Sequence, residues 1–156
     1  MAALREALSH AQVMTLIEAA RWAPSCFNSQ PWRFVYATKD SEHWPAMLSL
    51  LMDMNQAWAQ HAGALIAVVS RNTFQGNDAP APTHSFDTGA AWMSMALQAQ
   101  SMGLASHAMW GIEHNDIPTA LNLPDNMQIQ AMVAVGAVGN KADLPEPLQE
   151  LSLIHI

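Results

Sequence analysis

The amino-acid sequence predicts a layered α+β domain. Its 156 residues are enough for one hydrophobic core but leave little room for a second. Helical and strand-like patterns are mixed along the chain, which favours helices packed on a sheet. Hydrophobic residues make up 51% and charged residues only 12%, well below the charge content of an average domain. We therefore expect a partner subunit, a cofactor or both to cover part of the surface.

The N-terminal part of the chain predicts a helix followed by a strand. Apolar residues recur at helical spacing over residues 4–22, and we expect this amphipathic helix to end before Pro24. Residues 33–38 contain Phe34, Val35 and Tyr36, a composition typical of a strand.

A second helix is predicted over residues 42–60. Ser41 is placed to cap its first turn, and Pro45 suits the beginning of a helix. The apolar positions of this segment define its expected buried side, which comprises Met47, Leu48, Leu51 and Met54.

The middle of the chain predicts a buried strand, a long loop and a buried helix. Residues 64–70 form a continuous apolar run, as in a strand covered on both faces. Residues 71–85 show no periodicity, and long loops in compact domains often bind ligands. Asp87 and Thr88 then open a helix that is apolar nearly all round over residues 90–102 and ends at Gly103. A dimer interface would bury such a helix on every side.

Three shorter elements complete the prediction. Residues 105–110 favour a strand, and residues 116–121 favour a short helix with Pro118 in its first turn. Residues 127–138 form the last strand, which ends at Gly139.

Charge and hydropathy exclude several classes of partner. The net charge is −7, and the six Lys and Arg residues are scattered, whereas nucleic-acid binding needs clustered cations. The apolar runs are far shorter than the roughly 20 residues of a membrane helix. The single cysteine, Cys26, fits a reducing compartment. We therefore expect a cytoplasmic protein that binds neither nucleic acid nor membrane.

Familiar catalytic and metal-binding signatures are missing from the sequence. There is no G-x-S-x-G motif, and the seven histidines show no H-x-x-x-H spacing. We therefore predict no metal site. Cys26 lacks a close cationic neighbour in the sequence, so a small buried hydrophobe is a better interpretation than a nucleophile.

One segment points to ligand binding. Residues 19–34 read A-A-R-W-A-P-S-C-F-N-S-Q-P-W-R-F, in which a helix stops at a proline and a polar loop leads into a strand. Turn-forming residues alone could explain this connection. Hydroxyl, amide and backbone N–H groups on a rigid frame would equally suit a planar heterocycle.

The same segment resembles the A-A-R-W-A-P-S-x-x-N-x-Q-P-W-R-F signature of the nitroreductase family, flavoproteins that use FMN. The resemblance continues in order through about residues 8–150. It includes N-Q-A-W-A at 55–59, D-T-G-A-A at 87–91, H-A-M-W-G-I at 107–112 and V-A-V-G at 133–136.

The resemblance implies a mixed, mostly antiparallel sheet flanked by helices, with the central helix at a homodimer interface. It further implies hydride transfer from NAD(P)H through FMN to a nitroaromatic or quinone acceptor. Because the flavin carries the chemistry, no residue of the chain is expected to be catalytic.

The implied FMN site is shared between two subunits. One subunit contributes the segment from Pro24 to Asn28, and the other contributes the main chain from Met109 to Gly111, near the reactive nitrogen of the flavin. Alternatively, the side chains of Met109 and Trp110 belong to the hydrophobic core. Asn55 is a further expected contact. The cofactor-binding residues so implied are Pro24, Ser25, Cys26, Phe27, Asn28, Gln30, Asn55, Ala108, Met109, Trp110 and Gly111.

The two ends depart from the family pattern. Arg5 stands alone where the family has an R-x-S-x-R segment, and residues 151–156 match nothing in the family. We therefore expect one domain over residues 1–150, truncated at both ends, and a foreign tail. Two alternatives stay open: a flavoenzyme of this fold with another acceptor, for dehalogenation or enone reduction, or a non-catalytic remnant that does not retain FMN.

Overall fold

A computed structural model describes residues 6–140 and Ala142. Arg5, Lys141 and the 151–156 tail lie outside these residues. The described part contains nine α-helices and β-strands, which alternate irregularly along the chain. In order they are α1 (His10–Arg21), β1 (Trp32–Thr38), α2 (Trp44–Ser49), α3 (Asp53–Ala59), β2 (Ala64–Arg71), α4 (His84–Ser101), β3 (Leu104–Met109), α5 (Ile117–Ala120) and β4 (Met127–Ala137).

The four described strands form one sheet in the order β1-β2-β4-β3. Each of the three pairings is antiparallel, so no parallel pair occurs among the described strands. The pairing of β2 with β4 shifts register between Val68 and Val69. The predicted α+β class and layered architecture are confirmed.

Helices cover both faces of the sheet. Strand β2 is buried along almost its whole length, as its continuous apolar run predicts, and its side chains alternate between two cores. Leu65, Ala67 and Val69 face a core shared with α2, α3 and α5. Ile66 and Val68 face a second core, shared with α1 and α4.

The first helix begins at His10, later than predicted. Ser9 forms a capping box with Gln12: the Ser9 hydroxyl accepts from the Gln12 N–H, and the Gln12 side chain accepts from the Ser9 N–H. Just before it, the Leu8 N–H donates to the Gly63 carbonyl at 3.1 Å. The backbone here is therefore tied to a distant loop, a contact that apolar spacing does not reveal.

The predicted helix over residues 42–60 is wrong, because two helices occupy this segment. The break lies at Leu50–Met52, where Leu51 pairs with Ile112 in an antiparallel bridge. The Met52 N–H donates to the Gly111 carbonyl at 3.0 Å. Bonds to a remote loop thus replace helical bonds at the centre of the segment.

The expected details of this segment are confirmed only in part. Pro45 lies in the first turn of α2, but His43 rather than Ser41 occupies the capping position, and no side chain caps the helix. Met47 and Leu51 are buried, whereas 83% of the Met54 side chain is exposed. The break rotates Met54 away from the core.

Helix α4 has two different faces. It begins at His84, earlier than predicted, so the preceding loop is shorter than 71–85. Ala91, Met95 and Ala99 are fully buried in the core that α4 shares with α1. The opposite side exposes apolar residues at intervals of three or four, which are Phe86, Gly89, Met93 and Leu97. Within one chain this helix is therefore not buried on every side.

The remaining elements follow the sequence prediction closely. Strands β3 and β4 and the short helix α5 lie within one residue of the predicted bounds at every end. None of the helices that the structure describes combines the length and hydropathy needed to cross a bilayer.

Candidate functional site

The segment after α1 forms a tight turn with unusual backbone angles. A single 3-10 turn spans Cys26–Asn28. Phe27, Asn28 and Gln30 have φ angles of 52°, 53° and 47°, in the left-handed region that non-glycine residues rarely adopt. Such angles persist only where the surroundings hold them.

Buried polar contacts hold this turn. The Cys26 N–H donates to Asp87 Oδ2 at 3.0 Å, and the Thr83 hydroxyl donates to the same oxygen at 3.0 Å. Asp87 is only 5% exposed. Within the turn, the Gln30 N–H donates to Ser25 Oγ at 2.9 Å. The turn is therefore anchored to the first helical turn of α4.

The sequence pattern predicts only that Asp87 opens a helix, so this role of Asp87 was missed. A signal was present in the sequence, because Asp87 is the only charged residue between Ser85 and Ser101. A lone carboxylate on a largely apolar helix needs a buried partner, and here the partner is a backbone N–H.

The outer side of the turn lines an open groove of about 800 Å³. Phe27 is 90% exposed and meets Phe74 edge to face, with ring centroids 5.9 Å apart. Arg33 also lines the groove, and its Nη1 donates to the carbonyls of Gln30 and Trp32 at 3.0 and 2.6 Å. The remaining lining residues are neutral: Asn28, Ser29, Gln30, Gln75, Gly76, Asn77 and Ala79.

The end of α1, just before the turn, carries a carboxyl group with a lowered pKa. Arg21 donates to both Glu18 oxygens, at 2.9 and 2.7 Å, and the Trp22 indole N–H donates at 2.9 Å. The guanidinium of Arg21 and the indole N–H together lower the pKa of Glu18 to about 2. The ion pair lies at the exposed end of α1, from which the turn departs.

The second predicted segment follows β3. Ala108 is the penultimate residue of β3 and is exposed, Met109 is buried in the core at 3% exposure, and Trp110 is 66% exposed. Met109 is thus a core residue, as the alternative interpretation expects, whereas Trp110 is not. Asn55 lies beside this segment, since its Nδ2 donates to the Gly111 carbonyl at 2.9 Å.

The main chain at residues 110–111 offers two unused donors. Among the hydrogen bonds of the described residues, neither the Trp110 N–H nor the Gly111 N–H has a partner. A backbone N–H without a partner is available to a ligand. These donors fit the nitrogen and oxygen acceptors along the edge of an isoalloxazine ring, the group that the family resemblance implies.

One chain does not bring the two segments together. The turn leads into β1 and the 109–111 segment leaves β3, and these strands are opposite edges of the sheet. Three strand spacings of about 4.8 Å separate the edges, or about 14 Å in all. Both segments lie toward the same end of the sheet, because β3 runs toward the end at which β1 begins. Met109 is level with Met132 of β4, Ala67 of β2 and Val35 of β1, and the chain beyond Met109 continues toward the level of Trp32.

Comparison with known proteins gives consistent matches. The model of the nitroreductase family matches residues 4–53 and 40–137. The "Uncharacterized 15.4 kDa protein in ask 5'region" of Mycolicibacterium smegmatis is 32% identical over 104 residues, covering 66% of this chain and 68% of that protein.

Solved structures extend the comparison. An oxidoreductase containing FMN is 42% identical, with a TM-score of 0.88 over 96% of this chain and 79% of that one. A nitroreductase family protein from Streptococcus pneumoniae TIGR4 is 20% identical, with a TM-score of 0.72 over 93% of this chain and 90% of that one. The second match concerns the fold alone.

Proposed function

The chain belongs to the nitroreductase family, and on that premise we propose that it is an FMN-dependent oxidoreductase that uses NAD(P)H to reduce nitroaromatic or quinone acceptors. With a nitro acceptor, one NAD(P)H and one proton convert the nitro group to a nitroso group, and NAD(P)⁺ and water are released. With a quinone, the same donors produce the hydroquinone. The single cysteine supports a reducing, cytoplasmic compartment for this reaction.

The observation that carries the proposal is the unpartnered Gly111 N–H, held in place at the exposed edge of the sheet. The Gly111 carbonyl accepts from the Met52 N–H at 3.0 Å and from Asn55 Nδ2 at 2.9 Å, so the segment cannot turn freely. When bound there, FMN would supply the transfer of a hydride from donor to acceptor. The chain would supply the position of the ring, a hydrogen bond to its edge and the exclusion of water.

The proposed site includes a second copy of the chain. One protomer contributes Asn55 and the 108–111 segment, and its partner contributes the 24–30 turn. The separation of these segments within one chain supports this arrangement. The exposed apolar stripe of α4 supports a homodimer. A Cβ added to Gly89 would meet no atom within 4 Å, so this helical glycine leaves space for a close partner, as glycine commonly does.

The groove beside the turn is the proposed acceptor side of the site. Phe27 and Phe74 offer aromatic surface for a planar ring. Arg33 is the one charged residue among the lining residues, and its cation would favour the partially negative oxygens of nitro groups and quinones.

Titration with FMN tests the cofactor, and NAD(P)H oxidation tests the reaction. We expect the purified protein to bind FMN and to carry flavin absorbance with the dimer on gel filtration. Under anaerobic conditions it should turn over NADH or NADPH only when a nitroaromatic or quinone is present. Flavin reduction with no turnover of these acceptors would favour a different acceptor. A colourless protein that does not respond to millimolar FMN would favour the non-catalytic remnant.

A further inference from the structure

His114 contacts the proposed flavin-binding main chain in two ways. Its Nε2 lies 3.2 Å from the Trp110 carbonyl oxygen. Its ring also packs on the Trp110 indole, with centroids 4.2 Å apart and planes tilted by 51°. Because a carbonyl can only accept, the Nε2 of His114 must carry the hydrogen. The imidazole therefore donates to the main chain while its face supports Trp110.

The Trp110 carbonyl and the Gly111 N–H belong to the same peptide unit. The unit is planar and trans, so its C=O and N–H point in opposite directions. Fixing the carbonyl oxygen therefore fixes the direction of the N–H. Among the described residues, the one other donor to this oxygen is the Ile112 N–H, two residues along the chain at 2.9 Å, which cannot anchor the unit to a distant element.

The next peptide unit is anchored independently. Its carbonyl, that of Gly111, accepts from Met52 and Asn55. With His114 on one side of Gly111 and Asn55 on the other, both peptide units that flank its Cα are held. Gly111 has no side chain of its own to restrict it, so these contacts set the direction of its N–H.

We propose that His114 is a positioning residue, which aims the Gly111 N–H at the flavin ring through the Trp110 carbonyl. The inference rests on the proposed FMN site. It adds a side chain that does not itself touch the cofactor but determines how well the main-chain hydrogen bond is formed.

Three substitutions separate the two contacts of His114. His114→Phe keeps a ring beside Trp110 and removes the donor, whereas His114→Gln keeps an N–H donor at a similar reach and removes the ring. His114→Ala removes both contacts. His43→Phe provides a matched control, because the His43 side chain is 78% exposed and bonds nothing in the site. The measurements are the Kd of FMN from fluorescence titration and the midpoint potential of the bound flavin.

We expect the Phe and Ala variants to bind FMN about three- to tenfold more weakly, as for the loss of one well-oriented hydrogen bond. Their potentials should become more positive, because an N–H donor suits the lone pair of the oxidised ring nitrogen better than the reduced nitrogen, which carries its own hydrogen. His114→Gln should restore much of both values, and His43→Phe should match the wild type.

The possible failures are distinguishable. Wild-type protein that binds no FMN would overturn the proposed function and this inference with it. Wild-type binding with unchanged Kd and potential in the Phe variant would overturn the inference alone. A Phe variant that behaves like the wild type while the Gln variant behaves like Ala would show that ring packing, and not the hydrogen bond, is what matters.

Discussion

At the scale of single residues, Phe27 is held in an energetically unfavourable backbone conformation. Its φ of 52° is disfavoured for a bulky side chain, and its ring is 90% exposed, so packing does not compensate within one chain. We predict that Phe27→Gly stabilises the isolated fold by about 1 kcal/mol, because glycine adopts this angle without strain. Turnover of aromatic acceptors should fall, because the groove loses a wall.

Phe27→Ala is the matched control for this trade-off. Alanine removes the ring but keeps the backbone strain, so turnover should fall without a gain in stability. Urea unfolding and acceptor kinetics measure the two effects separately. Equal stability of the Gly and Ala variants would show that the left-handed angle carries no cost here.

A neighbouring side chain leaves no room for a Cβ atom at position 111. An added Cβ would lie 2.6 Å from Asn55 Nδ2. We predict that Gly111→Ala displaces the Asn55 amide, lowers stability by about 1–2 kcal/mol and weakens FMN binding. In a double-mutant cycle with Asn55→Ala the two effects should not add, because both substitutions remove the same hydrogen bond. Additive losses would show that Gly111→Ala leaves the hydrogen bond of Asn55 to the main chain in place.

Glu18 gives a pH-dependent prediction. Its folded pKa of about 2 lies below the ordinary glutamate value of 4.5, so the ionised form is favoured in the folded protein. The contribution to stability is therefore fully present above pH 4.5 and is lost as the pH falls through 2. We expect the difference in unfolding free energy between wild type and Glu18→Gln to disappear over this range. The effect should be small because the pair is exposed. NMR titration of the Glu18 carboxyl carbon checks the midpoint directly, and a midpoint near 4.5 would contradict the ion pair.

Residue-level prediction from the sequence succeeded where chemistry is local. Pro45 in a first turn and the polar turn after Pro24 depend on neighbours along the chain. The roles of Met52 and His114 could not be predicted, because each bonds a residue whose proximity is set by the fold. For Asp87 the sequence held a signal, a lone charge on an apolar helix. For His114, four residues from Trp110 outside any helix, we find no such signal.

At the scale of elements, the sequence predicted the strands better than the helices. Strand β2 and residues 132–136 of β4 are buried on both faces, so continuous apolar runs mark them directly. The segment from residue 42 to 60 has helical spacing throughout, yet it breaks where Leu51 bridges Ile112. That break is set by a partner 61 residues away, which periodicity within the segment cannot reveal.

Helix α4 shows how one apolar pattern can describe two surfaces. Ala91 is fully buried against the sheet, whereas Met93 is 54% exposed. A test of the proposed dimer must therefore change the outward side. We predict that Met93→Glu yields a folded monomer that does not bind FMN, because an unpaired charge at a buried interface is costly. Thr15→Glu, on the exposed side of α1, should remain dimeric and bind FMN. Light scattering and flavin absorbance after gel filtration measure both properties, and a flavin-loaded monomer would refute the shared site.

At the scale of the whole molecule, the width of the sheet determines how far apart the two predicted binding segments lie within one chain. Within one chain, two intervening strands separate the turn at the β1 edge from the donor segment at the β3 edge. The sequence identified both segments by resemblance, but only the strand order shows that they lie at opposite edges. That order is a global property, set by which strands pair.

A mixing experiment tests the shared site in full. One variant carries Ser25→Ala and Asn28→Gly in the turn, and the other carries Gly111→Val beside Asn55. Each homodimer should bind little FMN, because both of its sites contain a damaged segment. If the two variants are unfolded together and refolded at equal amounts, about half of the dimers are mixed. Each mixed dimer has one site with both segments intact and one with both damaged. Random mixing should therefore restore about a quarter of the wild-type flavin content, whereas a site within a single protomer would restore none. Refolding each variant alone controls for residual binding, and light scattering controls for dimer yield.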